Sequence, residues 1–163
     1  MSVRPVLTWP DSRLSQVCAA VAAPDPGLIS DMFETMYDAP GRGLAAPQIG
    51  VMQRLFVMDV GWKNGEKTPM VCLNPEIVAA SDDTVIGPEG CLSMPGVLVD
   101  VERSAQIELC YTNADGECLT ETLTGFAAIC AQHELDHLDG KMHFDRVSQG
   151  NRTRILKEYE ALT

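Results

Sequence analysis

QHELDHLDG, residues 132–140, ends a run that begins near Thr124 and carries Ala127, Ala128, Ile129, Ala131, Leu135 and Leu138 before Gly140. Apolar residues at this spacing, closed by a glycine, predict a helix that packs on a core. His133 and His137 are four positions apart, so on that helix their rings leave one face and converge. Two imidazoles so placed can share one metal ion. Glu134, beside the first, can reach a water on that ion as general base. Two of the chain's three histidines fall in this five-residue window, which favours a metal over an incidental pair of core histidines.

A hydrolytic metal usually takes three protein ligands and keeps a fourth position open. Four residues compete for the third place. His143 completes the HExxHxxGxxH pattern of metzincin proteases, but these need a methionine turn downstream, and none of the 20 residues after His143 is Met. Glu158 lies 21 residues beyond His137, the spacing of thermolysin-like proteases, yet in RILKEYEAL it sits on a charged face where solvent explains it. Cys130 shares the histidine stripe but lies seven residues from His137, about 10.5 Å along the axis at 1.5 Å per residue. Cys91 lies in PEGCLSMPG (88–96), which Pro88, Gly90, Pro95 and Gly96 hold out of regular structure, and Gly90 gives room for close backbone approach. A thiolate on such a segment can meet the histidines across a cleft. The residues alone leave the choice open.

Upstream, Pro26 to Ala39 predicts another helix, with Asp25 as N-cap and Leu28, Ile29, Met32, Phe33 and Met36 as its core stripe. Between them the pattern changes to short apolar runs broken by Gly, Pro, Asn and Asp. RLFVMDV (54–60), MVCLNPEIVAA (70–80), GVLVDVE (96–102), QIELCYT (106–112) and ECLTETL (117–123) read as strands. NADG (113–116) turns the last two into a hairpin. A third helix covers about Gln149 to Ala161, with Ile155, Leu156 and Tyr159 facing inward. Closely spaced strands with segregated helices predict an α+β domain with antiparallel sheet, one domain over residues 1–163.

Composition narrows the function classes. A hydrophobic share of 45% and a charged share of 21% suit an ordinary globular domain, not a disordered chain. A net charge of −11 argues against a broad nucleic-acid footprint, so no direct nucleic-acid binding is expected. The opening MSVRPVLTWPDSRL lacks the apolar core of a signal peptide, and no stretch approaches the roughly 20 apolar residues of a membrane span. A cytoplasmic protein without membrane association is expected. Its six cysteines are then thiols or ligands, not a disulfide framework.

Three separated segments together resemble the signature motifs of the peptide deformylase family: GRGLAAPQ (41–48), EGCLS (89–93) and QHELDH (132–137), in the family's order and spanning most of the chain. LTWPDSRL near the start and FDRVS near the end resemble the family's flanks. A lone HExxH is weak, but the triplet is highly specific. The resemblance implies the deformylase α+β fold, with antiparallel sheets packed around the metal helix. It selects Cys91 as third ligand beside His133 and His137. The implied cofactor is one divalent ion, ferrous in the cell, with zinc, nickel or cobalt as substitutes; the ligand chemistry alone would suggest zinc. The implied reaction removes the formyl group from N-terminal formyl-methionine of new proteins. A water on the ion attacks the formyl carbon with Glu134 as general acid and base, while Gln48 and the Leu92 backbone N–H steady the oxyanion.

By the same resemblance the substrate lies along the small residues of GRGLAAPQ as an added strand, against Gly43 and Gly90. Its methionine side chain enters a pocket around Arg42, Phe126, Ile129 and Cys130, and Glu89 pairs with Arg103 to hold the Cys91 segment. Two positions depart from the family. Arg42 stands where Ile or Val is usual, so its head must be solvated or paired and specificity is expected to differ. His143 replaces a bulky apolar residue. The chain also ends at its last predicted helix, without the basic tail that brings some relatives to the ribosome. Ribosome contact is therefore expected to be transient at most.

Overall fold

The long strand β3, Met70–Ala80, lies at the middle of the sheet, and its irregularity sets the frame. The computed structural model describes residues 2–163. In β3 the register against its neighbour shifts between Leu73 and Glu76, where Asn74 adopts φ +50° and Pro75 follows. Asparagine tolerates this left-handed conformation, and proline is accepted at a bulge because no ladder hydrogen bond is asked of it. The Asn74 amide then ties down Val21, donating to its carbonyl at 2.9 Å and accepting from its N–H at 2.8 Å.

Around β3 run β1 (Gly43–Ala45), β2 (Leu55–Met58), β6 (Gln106–Thr112) and β7 (Cys118–Thr124), in the order β1-β2-β3-β6-β7, every pairing antiparallel. A separate antiparallel pair joins β4 (Thr84–Glu89) to β5 (Val99–Ser104). The helices are α1 (Pro26–Asp38), α2 (Gly125–Leu138) and α3 (Gln149–Glu160). Sheets and helices together make the expected α+β fold. No helix among the described residues is long and apolar enough to cross a membrane.

The Asp25 carboxylate caps α1 by accepting from the N–H groups of Gly27 and Leu28, and Leu28, Ile29, Met32 and Met36 are buried as the stripe requires. On α2 the final turns are buried on every side, from Ala131 through His133, Glu134, Leu135, Asp136, His137 and Leu138. That helix is therefore central, with β1 and β2 on one flank and the β4–β5 pair on another. Gly140 closes it at φ +75°, and a β-carbon there would press on the Ser15 backbone, so glycine is required twice over.

Several boundaries differ from the sequence reading. The strand expected over 54–60 is Leu55–Met58, because the Arg54 and Asp59 N–H groups turn to the carbonyls of Ala19 and Arg42. The strand expected over 96–102 begins only at Val99, after Gly96 turns the chain at φ +87°. Within 88–96, Pro88 and Glu89 are strand residues facing Asp100 and Val99, so only the part from Gly90 onward is irregular. β1 and β4 were not anticipated: β1 is three residues long, and β4 contains Gly87 and Pro88.

Candidate metal centre

α2 presents His133 and His137 with ring centroids 5.0 Å apart. The turn after β4 presents Cys91, whose sulfur lies 3.4 Å from Nε2 of His137. One ligand atom from each of Cys91, His133 and His137 falls within 4.8 Å of the others, as a single ion would need. A thiolate with two imidazoles fits a borderline-soft divalent ion. The other three contenders stand elsewhere. Glu158 is on the exposed face of α3, paired with Arg154 at 2.9 Å. The Cys130 thiol points to the Arg42 carbonyl at 3.8 Å. His143 is buried with its ring edge-on to His133 at 5.8 Å, and neither of its nitrogens has a hydrogen-bond partner among the described residues. Burial, reinforced by the charge of His133, pushes its pKa down to about 3, so it packs as a neutral ring.

A buried ionic chain orients the ligands. Glu89 Oε1 holds Nδ1 of His133 at 2.8 Å, which leaves Nε2 of that ring for the ion. Arg103 grips Glu89 through two bonds of 2.9 Å and reaches Asp136 at 2.6 Å. Arg146 clamps Asp136 from the other side, at 2.5 and 3.0 Å. Burial alone would raise the Glu89 pKa, but the bonds from His133 and Arg103 outweigh it and hold the carboxyl at about 2. Burial lowers the pKa of His137, as befits a neutral ligand. Asp136 and Arg146 were missed by sequence reasoning. Asp136 stands inside QHELDH itself, three positions from His133, and an acidic residue one helical turn from a ligand is the signal that could have found it.

Glu134 is 4% exposed, and its Oε1 has no hydrogen-bond partner among the described residues. Burial raises its pKa to about 7; the charge of His133 opposes this and that of Glu89 adds to it. A carboxyl poised there can both accept and return a proton near neutral pH. Gln48, 1% exposed, has its amide fixed: Oε1 accepts from the Ala45 N–H at 2.9 Å, and Nε2 points to Ser93 Oγ at 3.0 Å, with the Cys91 sulfur at 3.8 Å.

These groups stand in a cavity of about 750 Å³ whose wall includes Cys91, His133, Glu134, Gln48 and Leu92, together with Arg42, Gly43, Gly90, Phe126, Ile129 and Cys130. Every residue singled out from the sequence for the site is thus found in the cavity wall except His137, which is buried and meets the Cys91 sulfur at 3.4 Å. Gly43 must be glycine, since a β-carbon would collide with the Glu134 carboxylate and the Cys130 sulfur. Gly90 needs no such exception, because a β-carbon there meets Leu98 only at an ordinary 3.6 Å. The Arg42 guanidinium lies over the Phe126 ring, its carbon 5.1 Å from the centroid. Lys63 also lines the cavity and carried no sequence signal.

Residues 3–153 match the family model described as polypeptide deformylase. A peptide deformylase of Phenylobacterium zucineum is 45% identical over 161 residues, covering 97% of this chain and 95% of the relative. One from Afipia carboxidovorans is 43% identical over 162 residues, covering 98% and 95%. The crystal structure of peptide deformylase from Ehrlichia chaffeensis in complex with actinonin superposes with a TM-score of 0.91 at 36% identity, covering 99% of this chain and 98% of that one. The chain belongs to the peptide deformylase family, the metal-dependent hydrolases that remove the formyl group from the N-terminal methionine of nascent peptides.

Proposed function

We propose that Cys91, His133 and His137 hold one divalent ion, ferrous iron in the cell with zinc, nickel or cobalt able to replace it, and that Glu134 moves the protons of deformylation. The observation that carries this reading is the meeting of three ligand atoms within 4.8 Å beside a buried carboxylate oxygen that has no partner among the described residues. When bound, the ion supplies a Lewis acid that makes water nucleophilic near neutral pH. Glu134 accepts the proton of the attacking water and returns it to the departing amine. Gln48 Nε2 and the Leu92 N–H donate to the oxygen on which negative charge gathers. The fixed Gln48 amide supports its part, since it need not reorganise during reaction.

Substrate extends past Gly43 and Gly90, with the methionine side chain among Phe126, Ile129, Cys130 and the stem of Arg42. Residues 1–163 act as one catalytic domain in the cytoplasm, and any ribosome contact is transient, in keeping with the charge of −11. Nickel- or iron-loaded protein should release formate from formyl-Met-Ala-Ser and leave an internal peptide bond intact. Cleavage of the internal peptide without formate release would point to a protease instead.

A further inference from the structure

The mouth of the cavity carries two cations in a protein whose net charge is −11. Arg42 is held over the half-exposed Phe126 ring, and Lys63 lies over the Trp62 ring at 5.8 Å. Among the described residues no carboxylate pairs with either side chain. The acidic groups of the cavity wall do not offset them. Glu89 is engaged by Arg103 and His133, and Glu134 is buried at the floor. A ring face is a weak counterpart for a guanidinium at an exposed rim, so both cations remain available to an incoming anion.

Distance along the chain places that anion. Gly43 sits against Glu134, so the formyl end of a substrate belongs there. Arg42 directly precedes Gly43 and the start of β1, and it lines the same cavity. An extended substrate advances roughly 3.3 Å per residue, and alternate side chains point to opposite faces. Its second side chain therefore arrives at the rim and not at the floor. We propose that Arg42 and Lys63 form a cationic rim that selects formylated chains with a carboxylate side chain on the residue after the formylated one. This rests on the deformylase reading of the same cavity.

The test compares nickel-loaded protein on formyl-Met-Asp-Ala-amide, formyl-Met-Ser-Ala-amide and formyl-Met-Lys-Ala-amide, the amides removing the terminal carboxylate. The aspartyl peptide should exceed the seryl one about threefold to fivefold in kcat/KM, the scale of an exposed charge pair, with the lysyl peptide slowest. About 0.5 M NaCl should compress that ratio, since the pairing is open to solvent. In the Arg42→Met, Lys63→Met double variant the Asp/Ser ratio should fall to about one, while Lys157→Met, on the exposed side of α3, should retain it. Equal use of the aspartyl and seryl peptides, or a ratio that survives the double variant, overturns the proposal and leaves the deformylase reading standing. Absence of formate from all three peptides sinks that reading and this proposal with it.

Discussion

At the floor of the cavity, Glu89, Arg103, Asp136 and His133 are all at or below 8% exposed, and each charge there meets an opposite charge or a ring nitrogen. At the mouth, Phe126 is 48% and Leu98 69% exposed, and the Arg42 guanidinium has a ring face and, among the described residues, no carboxylate. The ionic chain leaves none of its charges unmatched, because a buried charge without its partner costs several kcal/mol, whereas burial of the unpartnered Glu134 carboxyl raises its pKa to about 7. The mouth is bathed in water, which satisfies whatever the protein does not. Chemistry is therefore set where substitution is expensive, and selectivity where it is cheap.

The largest effect should come from the floor. Glu134→Gln removes the only proposed proton carrier and should lower formate release by roughly 10² to 10⁴-fold while metal content, read by elemental analysis, stays near one. A variant that keeps a tenth of the activity would erase the distinction between floor and mouth. Next come the pillars of the ionic chain. Glu89→Ala and Arg103→Ala each strand buried charge and should cost about 3–5 kcal/mol in urea unfolding. A large loss in the first with none in the second would mean that Arg103 does not hold the Cys91 segment through Glu89.

A smaller effect sharpens the comparison from the other side, since the mouth's backbone has a brace of its own. The Asp59 N–H donates to the Arg42 carbonyl, Trp62 Nε1 donates to the Gly41 carbonyl, and the Tyr37 hydroxyl donates to the Asp59 carboxylate at 2.5 Å. Burial would raise the Asp59 pKa, but bonds from Tyr37 and from the N–H groups of Thr68, Gly61 and Trp62 outweigh it and hold it below the ordinary value. A depressed carboxyl stabilises the fold fully above its unfolded pKa, near 4, and that contribution fades as pH falls through the folded value. Tyr37→Phe should therefore cost about 1–3 kcal/mol near neutrality, and the difference from the parent should narrow below about pH 4. A difference that does not change with pH would show that the Tyr37–Asp59 bond is not its source.

The same contrast explains what could be read from the sequence. α1, α2 and most strands announce themselves because burying one face imposes a period, and the Asp25 cap and Gly140 stop mark their ends. β1 is three residues long, too short for any period, and β4 is interrupted by Gly87 and Pro88, so tertiary pairing defines both. His133 and His137 are legible because one helix carries them. Cys91 is not, because its meeting with them depends on how a turn lies across a cleft; only the likeness of whole motifs pointed to it. Asp136 escaped because its partner Arg103 is more than thirty residues away in sequence, and Arg146 because it joins the site only through Asp136.

X-ray absorption at the metal edge of zinc-loaded protein tests the ligand set most directly. The account predicts one sulfur at about 2.3 Å with two nitrogens at about 2.0–2.1 Å, and loss of the sulfur shell in Cys91→Ser but not in His143→Ala. A parent spectrum with no sulfur neighbour, or one whose nitrogen shell shrinks when His143 is removed, would contradict it.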